Sequence, residues 1–255
     1  MTAHTVVATA NVHRGLGTRD AREALRDVLE HEPDLVGLQE WHPWRVRLLA
    51  ETGSVGLLRG PRRSRRDSGY LWTMPVLGDC VVGARSERFS LLHVGSVWLS
   101  RPGRADAALA RRRRIEPPHL ATVATYDDRT GGRTVSLISY HLVPGVQSGG
   151  VYRADRPLLA ARHREEVARV QAMVDECRAL GHTVYAVGDS NFDGFRLTGL
   201  TSAWEGREAE PGTLGPSRKI DDVHGPGLPT SVRLLANASD HKAVLVDRAD
   251  VLTTG

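Results

Sequence analysis

Eight polar residues fall at the ends or edges of apolar segments of the chain, and their side chains are carboxylates, amides and imidazoles. They are Asn11, Glu40, His141, Asp189, Asn191, Asp221, Asp240 and His241. Carboxylate and amide oxygens bind hard divalent cations, and an imidazole held by a carboxylate transfers protons near neutral pH. Each residue alone is typical of a turn or a cap. Together, at successive strand ends, they indicate a reactive site.

The apolar segments before these residues predict the elements that position them. Residues 5–10 and 34–40 read as strands on either side of a helix pattern, so the opening predicts parallel strands joined by a right-handed crossover. Residues 20–23 resemble a capping box at the start of that helix. The longest helix is predicted over 157–180, and other strands over 79–84, 88–99, 119–126, 133–140, 184–187, 219–224, 231–235 and 243–247. Polar groups of α/β folds gather past strand ends at one edge, so we expect the eight side chains to meet.

The charge of the chain is unusual in kind rather than in amount. The 255 residues include 34 Lys+Arg and 30 Asp+Glu, and since Lys219 and Lys242 are the only lysines, 32 of the basic residues are arginines. Guanidinium groups bind phosphate in a bidentate way, which suggests an anionic partner. A GC-rich genome gives the same excess of arginine, so both explanations stay open.

Several protein classes are excluded by composition and motifs. Cys80 and Cys177 are too few for a disulfide scaffold or a four-cysteine zinc site. The chain has no Gly-x-Ser-x-Gly elbow, no Gly-x4-Gly-Lys loop and no Gly-x-Gly-x-x-Gly after a strand. No apolar stretch approaches the ~20 residues of a membrane span, and no signal peptide is visible. We expect one cytoplasmic, monomeric α/β domain over residues 1–255.

Six motifs together resemble the endonuclease/exonuclease/phosphatase superfamily, whose fold is that of pancreatic-type deoxyribonuclease. They occur in the order and at the spacing of that family, and they span most of the chain. The motifs are Thr9-Ala10-Asn11, Val36-Gly37-Leu38-Gln39-Glu40, Tyr140-His141-Leu142, Val187-Gly188-Asp189-Ser190-Asn191, Lys219-Ile220-Asp221 and Ser239-Asp240-His241. The resemblance implies a four-layer α/β/β/α sandwich in which two mixed, mostly antiparallel sheets pack face to face.

The resemblance also implies a metal-dependent phosphodiester hydrolase. Glu40 and Asp240 would hold the cation with the Asn11 amide nearby, and because no His/Cys zinc spacing is present, Mg²⁺ or Mn²⁺ is favoured. His241 would be the base that activates water, with Asp221 as its partner.

The other site residues would act on the phosphate. Asp189 would orient the water or protonate the leaving oxygen, with Asn191 on the phosphate or on Asp189. His141 would donate to a non-bridging oxygen. Either Asp221 or its neighbour Asp222 could be the partner of His241. Side chains alternate along a strand, so only one of the two can face inward.

The substrate is less well specified, because one fold serves several substrates. Two arginine runs, at 59–66 and 111–114, fall in predicted loops, and either phosphate contact or simple solvation explains them. Residues 41–44 are aromatic-rich and either stack on a base or sugar or pack inside. We expect substrate contacts from residues after His141 and from the second run, namely Tyr152, Arg153, Arg156, Arg111 and Arg113.

Three functions remain open from the sequence. A nuclease on DNA or RNA is favoured. The alternatives are a phosphodiesterase or phosphatase on a phospholipid, phosphoinositide or small ester, and a non-catalytic binding module on the same fold.

Overall fold

The computed structural model describes residues 4–57, 69–75, 77–109 and 114–249. Within these ranges the strands in chain order are β1 (His4–Asn11), β2 (Leu35–Gln39), β3 (Gly53–Leu57), β4 (Tyr70–Met74), β5 (Val81–Arg85), β6 (Phe89–Ser100), β7 (Gly103–Arg104), β8 (Ile115–Glu116), β9 (His119–Asp128), β10 (Arg133–His141), β11 (Gln147–Ser148), β12 (Val151–Tyr152), β13 (Thr183–Asp189), β14 (Asp221–His224), β15 (Pro229–Leu235) and β16 (Ala243–Ala249). The helices are α1 (Thr18–Leu29), α2 (Val46–Thr52) and α3 (Pro157–Ala179), and short 3-10 turns occupy Pro43–Arg45 and Ala107–Leu109.

Two mixed sheets form the centre of the molecule. The first has seven strands in the order β15-β16-β1-β2-β5-β4-β3, and the second has five in the order β14-β13-β10-β9-β6. The parallel pairs are β1 with β2, β3 with β4, and β10 with β13, and the other pairs in the two sheets are antiparallel. The predicted fold class is therefore confirmed, down to the mostly antiparallel pairing.

The sheets pack face to face through buried apolar side chains from both, such as Val7 and Leu35 from the first and Leu137 and Val187 from the second. The approach is close at Gly37, where an added Cβ would lie 2.3 Å from Cγ2 of Val187. Across the same interface Gln39 Nε2 donates to Ser139 Oγ at 3.0 Å. The two sheets are thus held by packing and by buried polar contacts near the end where β2 finishes.

Helices cover the two outer faces. α1 buries Ala21, Ala24, Leu25 and Val28, which recur at helical spacing and pack on the first sheet. α3 buries a similar stripe, including Val170 and Val174, against the second sheet. These layers complete the α/β/β/α sandwich.

Local details differ from the sequence prediction in several places, of which two are the largest. α1 begins at Thr18 with Gly17 as its N-cap and no side-chain cap hydrogen bond, so the capping box predicted over 20–23 is wrong. The segment α2-β3-β4 carries no strong alternating pattern, and it was not predicted. No helix among the described residues has the length and apolarity needed to cross a membrane.

Candidate active site

The site lies where parallel strands of both sheets end. In the first sheet Asn11 is opposite Gln39 at the ends of β1 and β2, and Glu40 follows directly. In the second sheet His141 is opposite Asp189 at the ends of β10 and β13. Because parallel strands present their carboxyl ends at one edge, residues far apart in sequence meet here.

Asn11 connects the two sheets. Its Nδ2 donates to Asp189 Oδ2 at 3.0 Å and lies 3.4 Å from Glu40 Oε1. Its Oδ1 is buried and has no hydrogen-bond partner among the described residues. A buried amide oxygen without a partner is costly, and a hard cation is one ligand that would satisfy it. The residues here therefore fit a divalent ion.

Two residues of the site have left-handed backbone. Of the three non-glycine residues with positive φ in the described ranges, two are Glu40 (φ 54°) and Asn191 (φ 52°). Such backbone is strained for non-glycine residues and occurs often at functional sites. Asn191 is held by its own amide, whose Nδ2 donates to Leu142 O at 2.9 Å.

The loop after β1 supports Glu40. The backbone N–H of Arg14 donates to Glu40 Oε2 at 3.0 Å, and its guanidinium lies 3.5 Å from Glu40 Oε2 and from Asp79 Oδ2. Burial raises the pKa of Glu40, but the Arg14 N–H, the charges of His141 and Arg14, and Asn11 outweigh it, so the pKa is lowered. Glu40 is therefore ionised at neutral pH.

The side chain of Arg45 holds this loop through hydrogen bonds to its backbone. The sequence did not indicate this role. It is buried, with 2% of its surface exposed. Its Nη1 donates to Val12 O at 2.9 Å, and its Nη2 donates to the carbonyls of His13, Arg14 and Leu16 at 2.9–3.1 Å. One guanidinium thus satisfies four carbonyls of a loop that has no regular structure.

His241 is paired with Asp221. Its Nδ1 lies 2.9 Å from Asp221 Oδ2. Asp222 turns to the other side of β14, where it accepts from Ser202 Oγ at 2.5 Å and from the Ala203 N–H at 3.0 Å. Burial lowers the pKa of His241, but its hydrogen bond to Asp221 and the charge of that carboxylate raise it to about 9. The uncertainty between the two neighbouring aspartates is thereby removed.

Asp189 occupies the centre of the site. Its Oδ1 accepts the N–H of Asn191 at 2.7 Å, and its Oδ2 lies 3.8 Å from His141 Nε2 and 3.9 Å from His241 Nδ1. Burial and the nearby charge of Asp221 raise the pKa of Asp189. The charges of His141 and His241 lower it, but by less. A carboxyl in this setting can hold or release a proton near neutral pH.

Asp79 is a site residue that the sequence reading missed. Its Oδ2 lies 3.2 Å from His141 Nδ1, and the same histidine places Nε2 4.0 Å from Glu40 Oε1. The one available signal was Gly78-Asp79 just before β5, which parallels Gly188-Asp189 at the end of β13. Nothing local marks Asp79 as the partner of a residue 62 positions away.

Asp240 stands apart from the other predicted cation ligands. It is exposed, and Ser239 Oγ, which donates to Asn11 O at 2.8 Å, lies 3.3 Å from its Oδ1. Glu40 and Asn11 are thus brought together, while Asp240 is placed beside Asn11 through Ser239. A second group of possible ligand atoms, all within 4.8 Å of one another, belongs to Asp189, Asp221 and His241.

Two cavities flank the site. The larger, about 480 Å³, includes Glu40 and His141 in its wall, with His13, Arg14, His42 and His119. The smaller, about 220 Å³, is on the Asn191 side with Gln147 and Arg218.

The predicted substrate-binding residues are engaged in local contacts. Arg153 pairs with Asp155 at 2.8 Å, Arg156 Nη1 lies 2.6 Å from Gly145 O, and the Tyr152 hydroxyl lies 2.9 Å from His163 Nδ1. Arg111 and Arg113, like most of both arginine runs, lie outside the described residues. Contact of any of these five with substrate stays a prediction.

Solved structures share this fold. No protein-family model and no curated protein matches the sequence. D. rerio TDP2 complexed with a single-strand DNA product matches with a TM-score of 0.65 and 16% identity over 96% of this chain and 98% of that one. The human Nocturnin catalytic domain with bound sulfate matches at TM-score 0.63 and 16% identity, over 97% and 95%. A mannosyl-6-phosphatase of Bacteroides thetaiotaomicron matches at 0.60 and 17%, over 95% and 98%. An endonuclease/exonuclease/phosphatase family protein of the same bacterium matches with a TM-score of 0.63 and 18% identity. The chain therefore has the endonuclease/exonuclease/phosphatase fold that its motifs resemble.

Proposed function

We propose that this protein is a divalent-metal-dependent phosphoric ester hydrolase, with nucleic acid as its favoured substrate. The observation that carries the proposal is the pair of histidines around Asp189, each held by its own carboxylate: His141 by Asp79 and His241 by Asp221. Two oriented imidazoles beside an ionised Glu40 supply a proton acceptor, a proton donor and a cation ligand within one site.

The roles follow from the contacts. Asp221 holds Nδ1 of His241, which leaves Nε2 to accept the proton of a water that attacks phosphorus. Glu40 and the Asn11 amide would hold Mg²⁺ or Mn²⁺, with Asp240 nearby. When bound, that cation neutralises charge on the phosphoryl oxygens.

The second imidazole serves the phosphate. Burial opposes protonation of His141, but its hydrogen bond to Asp79 and the surrounding carboxylates raise its pKa to about 9, so it is a cation at neutral pH. It can therefore donate to a phosphoryl oxygen as charge develops there. Asp189, held by Asn11 and Asn191, would orient the water or protonate the leaving oxygen.

The preference for nucleic acid rests on charge and on likeness. The sequence pI is about 9.4, and the D. rerio relative is complexed with single-strand DNA. A small phosphate ester is the second candidate, because a cavity of about 480 Å³ is within the range of small-molecule sites and one similar structure is a sugar phosphatase. A monomeric, cytoplasmic enzyme remains our expectation.

One panel separates these candidates. The purified protein is incubated with Mg²⁺, Mn²⁺, Ca²⁺ or EDTA against supercoiled DNA, single-stranded DNA, RNA, sphingomyelin and bis-p-nitrophenyl phosphate. We expect cleavage of nucleic acid that requires the cation and weakens steeply with salt, as phosphate-backbone binding does. Turnover of the small ester alone, insensitive to salt, favours the second candidate, and absence of any turnover favours a binding module.

A further inference from the structure

The aromatic segment after Glu40 divides into an inner and an outer part. Trp41 is fully buried, and the Arg45 guanidinium lies 5.9 Å from its ring centroid, so it packs in the core. Trp44, by contrast, has 66% of its surface exposed. Its ring stacks on the imidazole of His42, with centroids 3.2 Å apart and planes 13° from parallel.

One member of the outer pair, His42, lies next to the candidate site, and Trp44 is stacked on it. His42 shares the wall of the 480 Å³ cavity with Glu40 and His141, and it is two residues from Glu40 in the chain. The same cavity is also lined by Pro117 and Pro118, whose rings are apolar. A group attached to a phosphate at Glu40 would enter a space bounded by flat or ring-shaped side chains.

The stacked rings of His42 and Trp44, which we call the platform, belong to a segment that is fixed by hydrogen bonds. Pro43 to Arg45 form a 3-10 turn in which the Arg45 N–H donates to His42 O at 2.9 Å. The Arg45 side chain is tied to four carbonyls of the preceding loop. Because these contacts order the segment before any ligand arrives, little entropy is lost on stacking against it.

The stack also offers a flat surface to a ligand, because 66% of the Trp44 surface is exposed and its ring plane lies 13° from that of His42. Exposed tryptophan that stacks on a flat partner is the kind of surface on which nucleobases bind without sequence preference.

We propose that the His42–Trp44 stack binds a planar nucleobase carried by the group esterified to the scissile phosphate. The inference deepens the proposed function and rests on it: a base next to the phosphate at Glu40 would extend along the cavity wall and cover the platform. It distinguishes nucleotide esters from lipid and sugar phosphates, which carry no such ring.

The test compares substrates that differ only in the base. Initial rates are measured with the dinucleotide TpT and with two analogues. Each analogue lacks one of the two thymine bases and has an abasic tetrahydrofuran sugar in its place. We expect Trp44→Leu to lower kcat/KM on TpT roughly 5- to 100-fold, mainly through KM, since one base–aromatic stack contributes that much. On the analogue that lacks the stacked base, Trp44→Leu should leave kcat/KM within about twofold of wild type, because no stack is lost.

A matched control is available in Leu180, which is 67% exposed and precedes β13 at the opposite edge of the sheet from Asp189. Leu180→Ala should not change the ratio of rates between TpT and either analogue. Equal losses on all three substrates with Trp44→Leu, or no loss on any, would overturn the platform. A single-stranded 12-mer run in parallel shows whether the base comes from a polymer or from a small nucleotide ester.

A binding measurement keeps this test independent of catalysis. Calorimetric titration of thymidine monophosphate into the protein in Ca²⁺ should show binding that Trp44→Leu weakens and Leu180→Ala does not. Turnover of none of the substrates in Mg²⁺ or Mn²⁺ counts against the proposed hydrolase, whereas thymidine monophosphate that fails to bind, or binds Trp44→Leu equally well, counts against the platform alone.

Discussion

Nδ1 of His141 lies 3.2 Å from Oδ2 of Asp79, so a residue at the end of β10 is oriented by one just before β5 in the opposite sheet. The pair forms an ion pair: burial opposes it, but their mutual contact raises the pKa of His141 to about 9 and lowers that of Asp79 to about 2. Both the orientation of the imidazole and its charge therefore depend on Asp79.

This ion pair predicts how stability changes with pH in EDTA. A histidine whose pKa is raised on folding contributes stability that is full below its ordinary pKa of about 6.5 and is lost as pH rises through about 9. We expect the Tm of the wild-type protein to fall over this window by several degrees, since each kcal/mol is worth about 2–4 °C in a protein of this size. His241 contributes a similar decline, so Asp79→Asn should make the fall smaller without abolishing it. A wild-type Tm that is flat from pH 6.5 to 9 contradicts the ion pair.

The His241–Asp221 pair predicts the pH dependence of activity. In the proposed mechanism His241 accepts a proton and must be neutral to do so. Because its pKa is raised to about 9, kcat/KM should increase from pH 6 towards pH 9. Asp221→Asn removes the group that raises this pKa; it should lower kcat roughly 100- to 10,000-fold and move the rising limb to lower pH. Asp222→Asn is the matched control. Because Asp222 binds Ser202 and the Ala203 N–H, its loss should lower Tm and leave the shape of the pH profile unchanged.

Glu40 should determine the requirement for the cation. EDTA should abolish activity, and Glu40→Gln should raise the Mg²⁺ concentration for half-maximal rate by at least about tenfold, because a carboxylate ligand loses its charge. Glu51→Gln, which alters an exposed carboxylate paired with Arg22, serves as the control. If Glu40→Gln and Glu51→Gln give the same Mg²⁺ titration, the cation is held elsewhere, and Asp189, Asp221 and His241 become the first alternative.

Arg45 should act on the same cation through the loop. Arg45→Met removes the side-chain donor from four carbonyls of residues 12–16, of which His13 O keeps the N–H of Leu16, and we expect a loss of at least about 2 kcal/mol in the free energy of unfolding. Because that loop delivers the Arg14 N–H to Glu40, the Mg²⁺ requirement should rise as well. Arg47 is two residues further along the chain and exposed, so Arg47→Met should change neither the free energy of unfolding nor the Mg²⁺ requirement. A normal Mg²⁺ titration for Arg45→Met would falsify the link between loop and site.

The sequence predicted the parts of the site that sit at strand ends, and it did so for a physical reason. Asn11, Glu40, His141 and Asp189 follow strong apolar patterns, and parallel strands bring their ends together. Asp79 could not be found in the same way, because it lies before β5 and not at the carboxyl end of a strand.

Local propensity was equally limited elsewhere. Residues 20–23 match a capping box in composition, yet α1 starts before them at Gly17 and Thr18. β3 (Gly53–Leu57) has two glycines, and it is a strand because it pairs with β4 rather than because of its own residues. The sequence could not decide which of Asp221 and Asp222 faces the site, because that depends on the register of β14 against β13.

The contact of Asn11 with Asp189 across the two sheets has one more consequence. Each sheet carries half of the reacting groups, and the halves meet through a hydrogen bond of 3.0 Å above an interface that leaves no room for a methyl group at Gly37. A slip of one sheet over the other would separate Asn11 and Glu40 from His141 and Asp189. If the proposed hydrolase activity is present, its rate should therefore report on how well the two sheets are aligned, and it should fall with core damage that leaves the melting temperature unchanged.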